Sequence, residues 1–204
     1  MDDIFELTND YFSTRKPRKP VNDFESINSL IEFQLTQSQS IRLGKGVEDI
    51  SRKYINKNSD WKDIKPPNLK GKKEPDHLFL HYIIEAIKYA ELKANLQLDT
   101  EKRKATAEKI LKISQIKGCD PILVALRHYS RETLKHSSCT EYYETQGITV
   151  LPVDEYMESY GIKCPFGSER EYVRWLNLLA TELVKEDVDA EHLEAAETLM
   201  NLKT

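Results

Sequence analysis

Glu74-Pro75-Asp76 and, 15 residues after Asp76, Glu91-Leu92-Lys93 place acidic and basic groups of complementary chemistry in one short stretch. On a strand, side chains alternate, so Glu91 and Lys93 share one face and Leu92 points to the other. Two carboxylates can hold a hard divalent cation through oxygen and leave it several waters, which suits Mg²⁺. A lysine beside that ion can orient or deprotonate a water and stabilise charge on an attacked phosphate. The set therefore fits metal-assisted phosphodiester hydrolysis, which must activate a water, neutralise an anionic transition state and release a poor alkoxide. In this assignment Asp76 and Glu91 ligate the metal, the Leu92 carbonyl adds a ligand, and Lys93 handles the water. Ordinary ion pairs on a hairpin are the simpler alternative. The flanking Tyr89-Ala90 and Leu92 weigh against it, since charges on a half-buried strand are costly unless paired or metal-bound.

The elements that would position these groups can be read from periodicity. Residues 77–84 and 87–96 are rich in aromatic and branched side chains and predict two strands joined at Glu85-Ala86. Antiparallel partners would then add to about 169–171, with Asp76 opposite residues 93–95. Asp99 caps a helix over Thr100 to Lys117, with Ala107, Ile110, Leu111 and Ile113 inward and Gly118 ending it. Ile122 to Leu126 is apolar throughout and predicts a buried central strand, and Ile148 to Pro152 a shorter one. Further helices are expected over 24–33, 46–55, 153–160, 169–185 and 191–202. The connector 14–20 is extended and basic, and the segment 56–75, with six lysines and three prolines, reads as a loop. The order predicts a mixed α/β fold with a central mixed sheet flanked by helices. One domain spanning 1–204 is expected, with a core over about 40–160, an N-terminal helical arm over about 1–40 and C-terminal helices over about 168–204.

The formal net charge of −4 hides a strong asymmetry. Residues 1–41 carry 4 Lys/Arg against 7 Asp/Glu, residues 42–135 carry 21 against 13, and residues 136–204 carry 5 against 14. The middle of the chain is thus basic and the last third acidic, the distribution of a local phosphate-binding surface or of two solvated faces of opposite sign. No stretch is apolar enough for a membrane span, and the acidic start is unlike a signal peptide, so a soluble cytoplasmic protein is expected. Cys119, Cys139 and Cys164 lack paired zinc-site spacing and are expected to be reduced thiols.

At Pro75-Asp76 and Glu91-Leu92-Lys93 the chain resembles the PD-(D/E)xK nuclease superfamily, and more narrowly the type II restriction endonucleases. The likeness covers roughly residues 40–130 and is sharp over about 30 of them. It implies a restriction-endonuclease-like sheet, Mg²⁺-dependent cleavage of double-stranded DNA leaving a 5′-phosphate, and a homodimer, with no membrane or nucleotide cofactor involved. In that family a helix before the hairpin often donates another acid to the metal, and Glu48, in Gly44-Lys-Gly-Val-Glu48, occupies that place.

Asn95 and Gln97 extend the Glu91/Lys93 face, and Thr100, Lys102, Arg103 and Lys104 open a helix whose amides favour phosphate. With Lys45, Lys70, Lys72 and Lys73 they form the candidate DNA contacts, most of them suited to gripping backbone rather than reading bases. His77 and His81 are expected to pack rather than ligate, and Trp61 and Trp175 to lie in core or interface. Three readings stay open: a site-specific restriction endonuclease, a structure-specific or repair nuclease of the same fold, and a non-catalytic DNA-binding module.

Overall fold

The computed structural model describes residues 2–13, 30, 31, 34–64, 75–96, 98–135, 137 and 139–201. The expected basic connector, most of the helix predicted over 24–33, Gln97 and the lysines at 65, 70, 72 and 73 lie outside these.

Helices α1 (Asp2–Ser13) and α2 (Gln37–Asn58) precede three antiparallel strands, β1 (Trp61–Asp63), β2 (His77–His81) and β3 (Ala86–Lys93). Helix α3 (Thr100–Lys117) crosses over to β4 (Ile122–Ala125), which pairs parallel to β3. Two short helices, α4 (Arg131–Leu134) and α5 (Thr140–Thr145), lead to β5 (Thr149–Leu151), parallel to β4. The chain ends with α6 (Val153–Glu158) and α7 (Glu169–Asn201). The five strands lie in sequence order, giving the mixed sheet flanked by helices that the pattern predicts.

Two apolar cores occupy the two faces of the sheet. Val47 and Ile50 of α2, Met157 of α6 and Leu176 of α7 pack with Ala90 and Leu92 on one face. Ala107 and Ile110 of α3 and Tyr143 of α5 pack with Leu78, Tyr89 and Leu123 on the other. Leu92 therefore turns away from α3, and the odd-numbered residues of β3 turn toward it, as strand alternation requires.

Capping explains the helix ends. Asp99 accepts the Lys102 N–H at 2.8 Å, and Gly118 takes a left-handed φ of 64°, ending α3 where the sequence places it. Helix α2 is much longer than the expected 46–55. It begins at a capping box in which Thr36 accepts the Gln39 N–H and Gln39 accepts the Thr36 N–H. Strand β1 lies inside the segment expected to be a loop. The two expected C-terminal helices are one continuous helix, and α1, α4 and α5 were not anticipated individually.

The hairpin differs from expectation in an instructive way. Strand β2 stops at His81, and Tyr82, Ile83, Ile84 and Glu85 form the turn, the first three strongly exposed. Their apolar character imitates a strand continuation, and no Asn-Gly marks the bend. Glu85 closes the turn with φ 50°. Paired residues consequently add to 167, as in His77 opposite Ala90, rather than to 169–171.

No helix among the described residues is long and apolar enough to cross a membrane. All three cysteines are free thiols, with Cys139 and Cys164 buried. Trp61 and Trp175 are core residues. His77 is wholly buried between the Glu48 carbonyl (2.8 Å) and the Tyr156 hydroxyl (2.7 Å), a packing role as expected.

Candidate functional site

Pro75 has no N–H to offer a ladder, and β2 pairing begins only at His77. The Leu92 N–H, just past the end of the β2–β3 ladder, is left to find another acceptor. Asp76 supplies it: its Oδ2 accepts that N–H at 2.9 Å. The corrected register carries Asp76 level with Glu91, closer than the expected position opposite 93–95. Directly opposed residues share a face, so Asp76, Glu91 and Lys93 all turn toward α3.

The three side chains meet. Lys93 Nζ lies 2.7 Å from Glu91 Oε1 and 3.8 Å from Asp76 Oδ2. The Tyr89 hydroxyl donates to Glu91 Oε2 at 3.1 Å. Glu91 is 2% exposed, so its charge is sustained by partners rather than by bulk water. Burial favours the neutral amine at Lys93, yet the Glu91 and Asp76 carboxylates outweigh it and hold its pKa above that of a free lysine. Burial, followed by the negative charge of Glu91, pushes the Tyr89 phenol far above its ordinary range, so Tyr89 serves as a hydrogen-bond donor.

Sequence reasoning missed Lys109. It rises from α3 with its ammonium 2.5 Å from Glu91 Oε2 and 3.8 Å from Asp76 Oδ1. Two carboxylates are thus held between two lysines, Lys93 on the Oε1/Oδ2 side and Lys109 on the Oε2/Oδ1 side. A signal existed in the chain: Lys109 sits next to Ile110 and three residues after Thr106, on the edge of the buried stripe of α3. A lysine there must either reach solvent or find a buried acid.

The donor set suits a hard divalent cation. Asp76, just before β2, and Glu91 of β3 present oxygens side by side, and a cation already stands between them in the form of Lys109. The Lys93 carbonyl accepts from Leu126 on the β4 side, whereas the Leu92 N–H points to the Asp76 side. The N–H and C=O of one strand residue leave by the same edge, so the Leu92 carbonyl faces the Asp76 side as well.

Glu48 reaches this region from α2, in the opposite layer. Its charge contributes to raising the Lys93 pKa, but its carboxylate is paired with Lys45 at 2.6 Å and approached by Arg52 at 3.9 Å. Among the described residues, no three His, Cys, Asp or Glu side chains are placed to hold one metal together.

The expected DNA contacts are dispersed. Asn95 follows β3 and is half-buried, and Thr100 and Lys104 are exposed on the first turns of α3. Lys102 pairs with Asp99 at 2.8 Å, and Arg103 stacks its guanidinium 4.6 Å from the centre of the Tyr142 ring. Lys45 is committed to Glu48 and to Asp49 at 3.4 Å.

Comparison of the chain with protein-family models, with curated proteins and with solved structures returns no match.

Proposed function

We propose that the chain is a Mg²⁺-dependent endonuclease that hydrolyses phosphodiester bonds of double-stranded DNA, acting at specific sites as type II restriction endonucleases do. The observation that carries this reading is the convergence of Asp76, Glu91 and Lys93 at the end of the β2–β3 hairpin. With Lys109 added, the cluster is poor material for stability alone, because desolvating four charges offsets much of their attraction. Bound between Asp76 and Glu91, a Mg²⁺ ion would polarise the phosphate and lower the pKa of a coordinated water.

The chain's own groups have distinct tasks in this reading. The Leu92 N–H fixes the Asp76 carboxylate, and the Tyr89 hydroxyl fixes that of Glu91. Lys93, held as an ammonium by its carboxylate neighbours, orients the attacking water and offsets charge on the attacked phosphate. Glu48 is a further acid of the site if it leaves Lys45. The exposed Thr100 and Lys104 at the start of α3 are placed for backbone phosphates, with Asn95 beside them.

Incubating the protein with unmethylated phage DNA, with and without Mg²⁺, tests the proposal. Discrete Mg²⁺-dependent fragments are expected, and smearing would instead mean a nonspecific nuclease. Absence of cutting in any condition, with DNA binding retained, would overturn the enzyme in favour of a non-catalytic DNA-binding module. That alternative draws on the mutual neutralisation of the four charges, which leaves the cluster self-sufficient as an ion-pair network. Homodimerisation, expected of an enzyme that cuts both strands, is checked by sedimentation.

A further inference from the structure

We infer that Lys109 is the resident counter-ion of the carboxylate pair, so that divalent metal enters by displacing its ammonium. This rests on the metal-dependent reading above. The charges of Asp76, Glu91, Lys93 and Lys109 cancel, and adding a divalent cation without moving either lysine would leave a buried surplus of two positive charges. That surplus is unfavourable in a site where Glu91 is 2% exposed. One ammonium must therefore withdraw.

Geometry selects Lys109. Lys93 sits two residues from Glu91 on the same strand, and its backbone is locked by the β3–β4 pairing, with the Lys93 carbonyl accepting from Leu126. Its ammonium can move little without leaving its own carboxylate. Lys109 comes from a different element, on a long side chain, and lies nearest the one oxygen of each carboxylate that Lys93 does not approach. Its ammonium stands between the two carboxylates that would hold the metal. Its attraction to the pair is subtracted from that of any incoming cation, so binding is an exchange of one cation for another.

The test uses the whole 204-residue chain and Mn²⁺, a paramagnetic probe suited to the same oxygen ligands. Mn²⁺ affinity is measured by titration for the unmodified chain, Lys109→Met, Lys109→Arg, Asp76→Asn and the double variant Lys109→Met/Asp76→Asn. Lys109→Met is expected to bind at least tenfold tighter than the unmodified chain, Lys109→Arg no tighter, and the variants with Asp76→Asn very weakly. Amine labelling of the unmodified protein supplies a measurement free of folding defects. Lys109, 14% exposed by side chain, should label several-fold faster in saturating Mg²⁺ than in chelator, with Lys102 unchanged. Equal Mn²⁺ affinity in the unmodified chain and Lys109→Met, lost on Asp76→Asn, would overturn the role of Lys109 alone, as would labelling indifferent to metal while Mg²⁺ binds. Mn²⁺ binding absent from all variants, or untouched by Asp76→Asn, would overturn the metal site itself.

Discussion

Two buried ion clusters in this molecule are built from the same charges and differ in kind. Between α2 and α7, Arg42 forks to Glu186 and Asp187, while Gln39 donates to Asp187 at 2.8 Å. At the end of the hairpin, Lys93 and Lys109 flank Asp76 and Glu91. The first cluster uses a planar guanidinium whose donors match two carboxylates in a fixed geometry. The second uses ammonium groups, compact charges on flexible stems. Side-chain exposure runs from 7% at Asp187 to 18% at Glu186 in the first, and from 3% at Glu91 to 28% at Lys93 in the second. The first ties two helices together through a rigid fork, and the second joins the hairpin to α3 through flexible cations.

The contrast breaks most visibly at Arg42. Arg42→Met leaves Glu186 and Asp187 facing each other without a cation and is expected to cost about 3–5 kcal/mol. Urea denaturation reads that loss, and DNA cleavage per folded molecule should stay within about twofold of the unmodified chain. Asp76→Asn should do the reverse. The amide keeps an oxygen for the Leu92 N–H but loses the charge, so Mg²⁺-dependent cleavage should fall by about 100-fold or more, with a smaller loss of stability than Arg42→Met. If Asp76→Asn alters stability alone, the hairpin cluster is of the same structural kind as that of Arg42.

Glu48→Gln sharpens the boundary between the two kinds. Its carboxylate is paired within α2, so a supporting role predicts a loss of about tenfold in cleavage, read from single-turnover rates. An unchanged rate would assign Glu48 to α2 alone. The smallest effect belongs to the turn. Glu85 adopts a left-handed backbone that glycine takes without strain, and Glu85→Gly should raise stability by less than about 1 kcal/mol in thermal unfolding. Cleavage should not change, because register is held by the strands and by the Asp76 to Leu92 bond rather than by the turn.

Much of this architecture was legible in the chain. Alternation put Glu91 and Lys93 on one face, the Asp99 cap and Gly118 bounded α3, and the unbroken apolar run of β4 marked it as central. These signals act between residues a few positions apart, through hydrogen bonds and side-chain periodicity that need no partner from elsewhere. The hairpin register was less legible, because Tyr82, Ile83 and Ile84 carry strand-like side chains into a turn. Asp76 reached the site even so, since the ladder ends where Pro75 cannot donate and the Leu92 N–H requires an acceptor.

Tertiary structure decided the rest. Lys109 meets Glu91 only because α3 crosses back over β3 with that side chain inward, a contact set by packing between layers. Glu48 is drawn to Lys45 and Arg52 by neighbours on its own helix, and α7 runs on as a single helix against α2, anchored through Asp187. The identity of the charged groups was local information. Which cation each carboxylate holds depends on distances between distant segments, and only the folded core sets those.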